Sequence, residues 1–258
     1  MGALKAITKT CEPRADVLGG GLSDAHFAAN LDMIVRDAGS YPVYGDPEQF
    51  FALTHPTKGL KRLLERTFGR LSGAKVEGAE HAVLRSQTSF GGGKTHGLIA
   101  VYHVAKGARP STLNSFVDTS LVPDGCQVAA VVGDALDPVA GVLTNGDRTY
   151  TLWGEIAAQL GRYDVMRAND ETRSAPGSET WAEVIGDTPT VIIIDEIAQH
   201  IRQLVSSGDE DVRRQATALP TAFKSLFSFA TGRTNVVIII TLASQRDAFG
   251  KETSDVEA

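Results

Sequence analysis

Two rhythms of apolar residues divide the chain. Up to about Gly78 the apolar positions recur at helical spacing. In SDAHFAANLDMIVRDAGS, Phe27, Leu31, Ile34 and Val35 share one face, with Ser23 as the expected N-cap and Gly39 as the stop. GDPEQFFALTHPT offers a second start, where Asp46 caps and Pro47 takes the first helical position. A third helix is expected from the cap Thr57 to near Gly73; its stripe of Leu60, Leu63, Leu64, Phe68 and Leu71 reads as core packing.

From Glu80 onward the rhythm changes to short apolar runs set between helical stretches. The runs are His81 to Gln87, Gln127 to Asp134, Thr190 to Asp195 and Asn235 to Ala243. Near-continuous apolar strands of this kind are buried on both faces, as in a parallel sheet covered by helices, so the expected class is α/β. KTHGLIAVYHVAKG and TLWGEIAAQLG read as helices between the strands, and TAFKSLFSFATG as another with Ala222, Phe223, Leu226 and Ala230 on one face. Trp153 is expected in the core. The polar stretch from Arg167 to Glu179 reads as an exposed insertion. The expected organisation is an N-terminal helical segment, residues 1–78, followed by an α/β core, residues 79–258.

Charge and cysteine content narrow the classes. With 25 basic and 31 acidic residues in 258, the net charge of −6 gives no global positive field for nucleic acid, although a local basic groove stays open as an option. Cys11 and Cys126 fit neither a metal spacing nor a disulfide framework and read as free thiols in a reducing compartment. The N-terminus lacks the apolar stretch of a signal peptide, and Ala6 stands where a myristoylation motif requires Ser or Thr. The longest apolar runs are far too short for a bilayer, so the expectation is a cytoplasmic protein with no membrane partner.

The stretch SFGGGKTHGL follows an expected strand and opens an expected helix. Gly91, Gly92 and Gly93 let the backbone curl so that successive N–H groups point inward at the positive end of a helix, which forms an anion nest. Lys94 would then reach the β- and γ-phosphates of a nucleotide, neutralising charge during hydrolysis, and the Thr95 hydroxyl would ligate Mg²⁺. The usual spacing puts a glycine at position 88, where this chain has Thr88. His96 is expected to line the nucleotide's edge. In TVIIIDEIAQH, an apolar strand delivers Asp195 to the sheet edge as a Mg²⁺ ligand, and Glu196 follows as general base for the attacking water. The last apolar run offers Thr241, with Ser244 second, as a polar sensor of the γ-phosphate or the water. Asp134 either faces the same edge or caps the turn DALDP, and the turn is the favoured reading. His96 and His200 lack a third ligand at useful spacing and are not read as a metal site.

Strand, FGGGKTH, helix, IIIDE and a sensor-like strand together resemble the additional-strand branch of P-loop ATPases, including the AAA+ class. The phrases CEPRADVLGGGLSDAHFAANLD, YGDPEQFFALTHPTKGLKRLL, SFGGGKTHGLIAVYHVAKG and IIIDEIAQHIRQL resemble, more specifically, the start of the large bacterial ATPases of DUF499, a domain-of-unknown-function family. The resemblance implies ATP and Mg²⁺ as cofactors, with Lys94 and Thr95 in nucleotide binding and Asp195 and Glu196 in metal binding and hydrolysis. It also implies a role in anti-phage defence, with proteins of a defence cluster, DNA and a second copy of the chain as candidate partners. Family members are much longer, so a fifth strand, a second sensor, a helical lid and an arginine finger are expected elsewhere. Arg233 and Arg246 do not fill the finger's role. Two rival readings are a slow nucleotide-controlled switch or scaffold and a DNA translocase subunit.

Overall fold

Local capping chemistry sets the helical segment out in order. A computed structural model of the chain describes residues 29–86 and 93–241. Asn30 accepts the Met33 N–H at 3.0 Å and starts α1 (Leu31–Asp37). The expected cap Ser23 lies with Phe27 outside the described residues, and a 3₁₀ turn over Ala38–Ser40 replaces an abrupt stop at Gly39. After α2 (Pro42–Gly45), Asp46 accepts the Glu48 and Gln49 N–H groups and Pro47 opens α3 (Pro47–Leu53). Thr57 caps α4 (Lys58–Ser72) through the Leu60 N–H at 3.2 Å, and Gly73 ends it at φ 71°. These three starts and the last stop follow from the side chains alone.

The remaining elements are β1 (Val83–Ser86), α5 (Lys94–Ala105), β2 (Gln127–Val132), β3 (Val142–Thr144), β4 (Asp147–Thr149), α6 (Leu152–Gln159), α7 (Tyr163–Glu171), α8 (Ser178–Ile185), β5 (Thr190–Asp195), α9 (Ile197–Ser206), α10 (Glu210–Thr231) and β6 (Val236–Thr241). Three strands are shorter than their apolar runs. β2 stops at Val132 because Gly133–Ala135 curls into a 3₁₀ turn. β6 begins after Asn235, whose side-chain amide is turned to the Gly186 and Thr188 carbonyls. At β1, His81 and Ala82 precede the strand; Gln87, Leu242 and Ala243 lie outside the described residues.

Two features depart from the expectations. The hairpin β3–β4 turns at Asn145 and Gly146, with φ of 53° and 91°, the conformation that an Asn-Gly pair favours between short strands. The stretch Arg167 to Glu179 is not an exposed insertion: it holds the end of α7 and the start of α8, and Asp170 is wholly buried. Its carboxylate accepts the Thr151 N–H at 2.8 Å, the Tyr163 hydroxyl at 2.8 Å and the Tyr150 N–H. A polar residue can be buried when donors surround it, and hydropathy patterning is blind to that.

The main sheet is parallel throughout, in the order β1-β6-β5-β2. Alternate residues of its strands feed two cores. Ile192, Ile194, Ile238 and Ile240 join Trp153, Trp181, Leu204 and Phe223 from α6 to α10 on one face. Val191, Ile193, Val237 and Ile239 join Leu31, Phe50, Leu64, Phe68 and the apolar side of α5 on the other. The helical segment therefore shares the sheet's core rather than forming one of its own. At the outer edge of β2, the Gln159 amide accepts the Ala130 N–H at 2.8 Å and donates to the Ala130 carbonyl at 2.9 Å.

Two buried polar groups lock the layers. Arg70 of α4 donates to the carbonyls of Val236 at 2.9 Å, Glu80 at 2.7 Å and Ala230 at 3.1 Å, and also to Arg233. Its guanidinium thus ties α4 to the start of β6 and the end of α10. His200 of α9 is fully buried, with its Nε2 3.4 Å from Gln215 Nε2 of α10; among the described residues its Nδ1 and the Gln215 Oε1 have no partner.

Removing the Arg70 guanidinium strands several buried carbonyls, so Arg70→Met is expected to cost about 3 kcal/mol in urea unfolding, and Arg70→Lys to restore little of it because one ammonium cannot span the fork. Burial pushes the His200 imidazole down to about 4, from 6.5 in an exposed setting. The unfolded chain takes up a proton that the folded chain refuses, so stability falls as pH drops below about 6.5 and levels off below about 4, with a slope of at most about 1.4 kcal/mol per pH unit. Urea titrations across that range are expected to show a shallower limb in His200→Met than in the parent, the remainder coming from His96 and His103, whose basicity burial also lowers.

Candidate functional site

The register of the sheet places the ends of its strands along one edge. Ser86 of β1 pairs with Thr241 of β6, and Val132 of β2 pairs with Asp195 of β5. Ligand sites in open parallel sheets lie at this edge, where helices begin and strands finish.

Gly93 precedes α5 at φ 72°, a left-handed conformation that costs glycine little, and its carbonyl accepts the Gly97 N–H at 3.0 Å. Lys94 is thereby the first residue of the helix, where the unpaired N–H groups and the positive end of the dipole lie. Gly91 and Gly92 lie outside the described residues.

Thr95, Asp195, Glu196 and Thr241 meet in one hydrogen-bonded group. The Thr95 hydroxyl donates to Asp195 Oδ2 at 3.1 Å, across the sheet edge from α5 to β5. The Thr241 hydroxyl donates to Asp195 Oδ1, and the Glu196 N–H is 3.0 Å from the same oxygen and 3.1 Å from Thr241 Oγ1. Asp195 is buried, and burial raises its carboxyl above the usual range; the Thr241 and Thr95 hydrogen bonds, the Glu196 N–H and the charge of Lys94 oppose that rise. Two hydroxyls and an amide thus fix both oxygens of a carboxylate kept out of water.

Glu196 turns the chain sharply, at φ 53°, before α9 begins. Its side chain is exposed, and its carboxyl is pushed up to about 7, first by loss of surrounding water and then by Asp134 and Asp195. Asp134 corrects the favoured sequence reading. It meets Glu196 at the sheet edge, and the turn in DALDP is held instead by Asp137, which accepts the Val139 and Ala140 N–H groups at 2.9 and 2.8 Å. The signal was present in the sequence: Asp134, like Asp195, closes an apolar run, although β2 itself ends two residues earlier. Gly133 makes the approach possible, since a Cβ there would sit 2.5 Å from the Glu196 carbonyl oxygen.

His96 faces inward more than expected. Its ring lies 4.6 Å from that of Phe50, its Nε2 is 2.9 Å from the Thr54 hydroxyl, and burial lowers its basicity. Thr54, which stands in no motif, thus anchors a residue two positions from Lys94. Trp153 is buried in the core. Arg233 lies at the opposite end of β6 from Thr241, 3.1 Å from Asp187, and Ser244 and Arg246 lie outside the described residues. Cys126 is half-buried, and burial pushes its thiol up; Cys11 lies outside the described residues. No helix among the described residues is long and apolar enough to cross a membrane.

No curated protein and no solved structure matches the chain. A family model does: the DUF499 N-terminal domain matches residues 7–257, so the phrases around the glycine run and the acidic strand were sound guides and the chain belongs to the DUF499 family.

Proposed function

We propose that the chain is a P-loop nucleoside triphosphatase module of the additional-strand kind, which binds ATP with Mg²⁺ and hydrolyses its terminal phosphoanhydride. The observation that carries this reading is the Thr95–Asp195–Thr241 group, assembled beside Lys94 by a sheet in which β6 stands between β1 and β5. Loop helix, acidic strand and sensor strand each contribute one polar side chain to a single point.

The residues present suit magnesium. Among the described residues no group of three or more His, Cys, Asp or Glu could hold a metal by itself. Mg²⁺ commonly takes one or two protein oxygens and completes its shell with water and substrate phosphate, and Thr95 with Asp195 matches that demand. When bound, the ion supplies neutralisation of the phosphate charge.

The chain's own groups divide the remaining work. Lys94 brings a positive charge to the β- and γ-phosphates at the head of α5, where the helix dipole adds to it. Glu196 accepts the proton of the attacking water, and Thr241 fixes both the Asp195 carboxylate and the Glu196 amide, so metal ligand and base keep their spacing. Contact between Glu196 and Asp134 favours a second reading, a slow nucleotide-controlled switch, because a base engaged by a neighbouring carboxyl is not free to take a water's proton. Action in defence against phage or foreign DNA, on DNA or with partner proteins, is proposed from the family resemblance.

Calorimetry and turnover assays with Mg²⁺–ATP test the reading. Lys94→Ala is expected to lose tight binding; unchanged affinity would overturn the phosphate site. Glu196→Gln is expected to keep binding and lose about a hundredfold or more in rate. Turnover at the parent rate would remove Glu196 as the base, and a parent that binds without turnover would support the switch.

A further inference from the structure

Glu196 is the strained residue at the sheet edge. With φ 53° and ψ 33° it is a non-glycine residue in the left-handed region, a conformation that persists only where its surroundings over-determine it. Its N–H lies 3.0 Å from Asp195 Oδ1 and 3.1 Å from Thr241 Oγ1. Its carbonyl accepts the Gln199 N–H at 3.1 Å, which closes the first turn of α9. The peptide groups on both sides of its Cα are therefore engaged.

The end of β2 completes this enclosure. Val132 pairs with Asp195, so Gly133 comes level with Glu196. Gly133 is buried and is not one of the glycines with positive φ, so its backbone conformation does not call for glycine. Space is what excludes a side chain: a Cβ there would lie 2.5 Å from the Glu196 carbonyl oxygen, 3.0 Å from the carbonyl carbon and 3.1 Å from His200 Cβ. The first two of these atoms are backbone and cannot swing aside as a flexible side chain would. The turn has little room to retreat, because His200 is wholly buried and its ring lies against Gln215 of α10.

The carboxylate has a hold of its own. Gln199 Nε2, one turn along α9, is 3.4 Å from Glu196 Oε2. An amide N–H₂ donates to a carboxylate oxygen, so this contact restricts where the Glu196 side chain points.

We propose that Gly133 and Gln199 are positioning residues for the hydrolysis: Gly133 fixes the backbone of Glu196 by the side chain it lacks, and Gln199 fixes the carboxylate. The proposal rests on the reading of Glu196 as the base. A base has to stand within hydrogen-bond reach of the water it activates, and a displacement of about 1 Å can cost about a hundredfold in rate. Lys94 and Thr95 stand on α5, so the nucleotide is expected to stay bound when Glu196 shifts.

Calorimetry and steady-state turnover of the full chain with Mg²⁺–ATP test the proposal, with urea unfolding as the check of the fold. Gly133→Ala is expected to bind within about threefold of the parent and to lose about tenfold or more in kcat, with KM held. Gln199→Leu is expected to lose about fivefold, again in kcat rather than KM. Gly208→Ala serves as control, since a Cβ there meets nothing within 4 Å, and is expected to match the parent. Parent-like turnover in Gly133→Ala or in Gln199→Leu would overturn the role of that residue and leave Glu196 standing as the base. A loss of affinity as large as the loss of rate, or a loss of rate in Gly208→Ala as large as in Gly133→Ala, would show a merely structural effect and overturn the proposal as well. Should Gly133→Ala fail to fold, Gln199→Leu decides. A parent that binds Mg²⁺–ATP without turnover would overturn the base assignment, and the positioning roles with it.

Discussion

The insertion of β6 between β1 and β5 is the constraint from which the rest of the candidate site follows. A strand that comes last among the described elements takes a central place, buried on both faces, and its register brings Thr241 level with Ser86 and beside Asp195. Without that hydroxyl, Asp195 would lose one of the groups that make a buried carboxylate tolerable. Arg70 governs the other end of the same strand, because its guanidinium fixes where the chain enters β6. One strand is thus pinned at its start by a cation donating to carbonyls and at its finish by a hydroxyl serving a carboxylate.

Charge is sorted on either side of Lys94. Asp134, Asp195 and Glu196 converge on the edge toward β2 and β5, and their proximity raises the Glu196 carboxyl. Arginines and histidines gather on the side toward α4 and β1. A chain with a modest overall charge can therefore hold two strongly opposed local fields, and summing residues over the whole sequence conceals both. Neither field could be inferred from a net charge of −6.

Much of the fold was legible because it rests on local rules. Asp46 and Thr57 cap helices, Gly73 ends one, and four apolar runs become four parallel strands. The candidate residues Lys94 and Thr95 follow from strand–turn–helix context and Asp195 and Thr241 from the ends of apolar runs, and the structure brings those four together. The misreadings have a common cause in contacts that the linear pattern does not carry. Asp170 looked solvent-exposed because its donors, Tyr150, Thr151 and Tyr163, come from elsewhere in the fold. Asp134 looked like a turn residue because its partner Glu196 lies on another strand end, and Asp137, three residues on, performs the turn's chemistry instead. The Asn145–Gly146 hairpin is different: its turn signal is local, but strands of three residues each are too short to show an alternating pattern.

Gln159 has an implication for how this sheet can grow. Its amide faces Ala130 with one donor and one acceptor, as a peptide unit of a neighbouring strand would, yet it belongs to a helix. A single side chain thereby counterfeits the next strand on the β2 flank, and an approaching chain finds that rung already taken. Pairing of a further strand beyond β2 is thereby opposed at that rung by a side chain that the fold itself supplies.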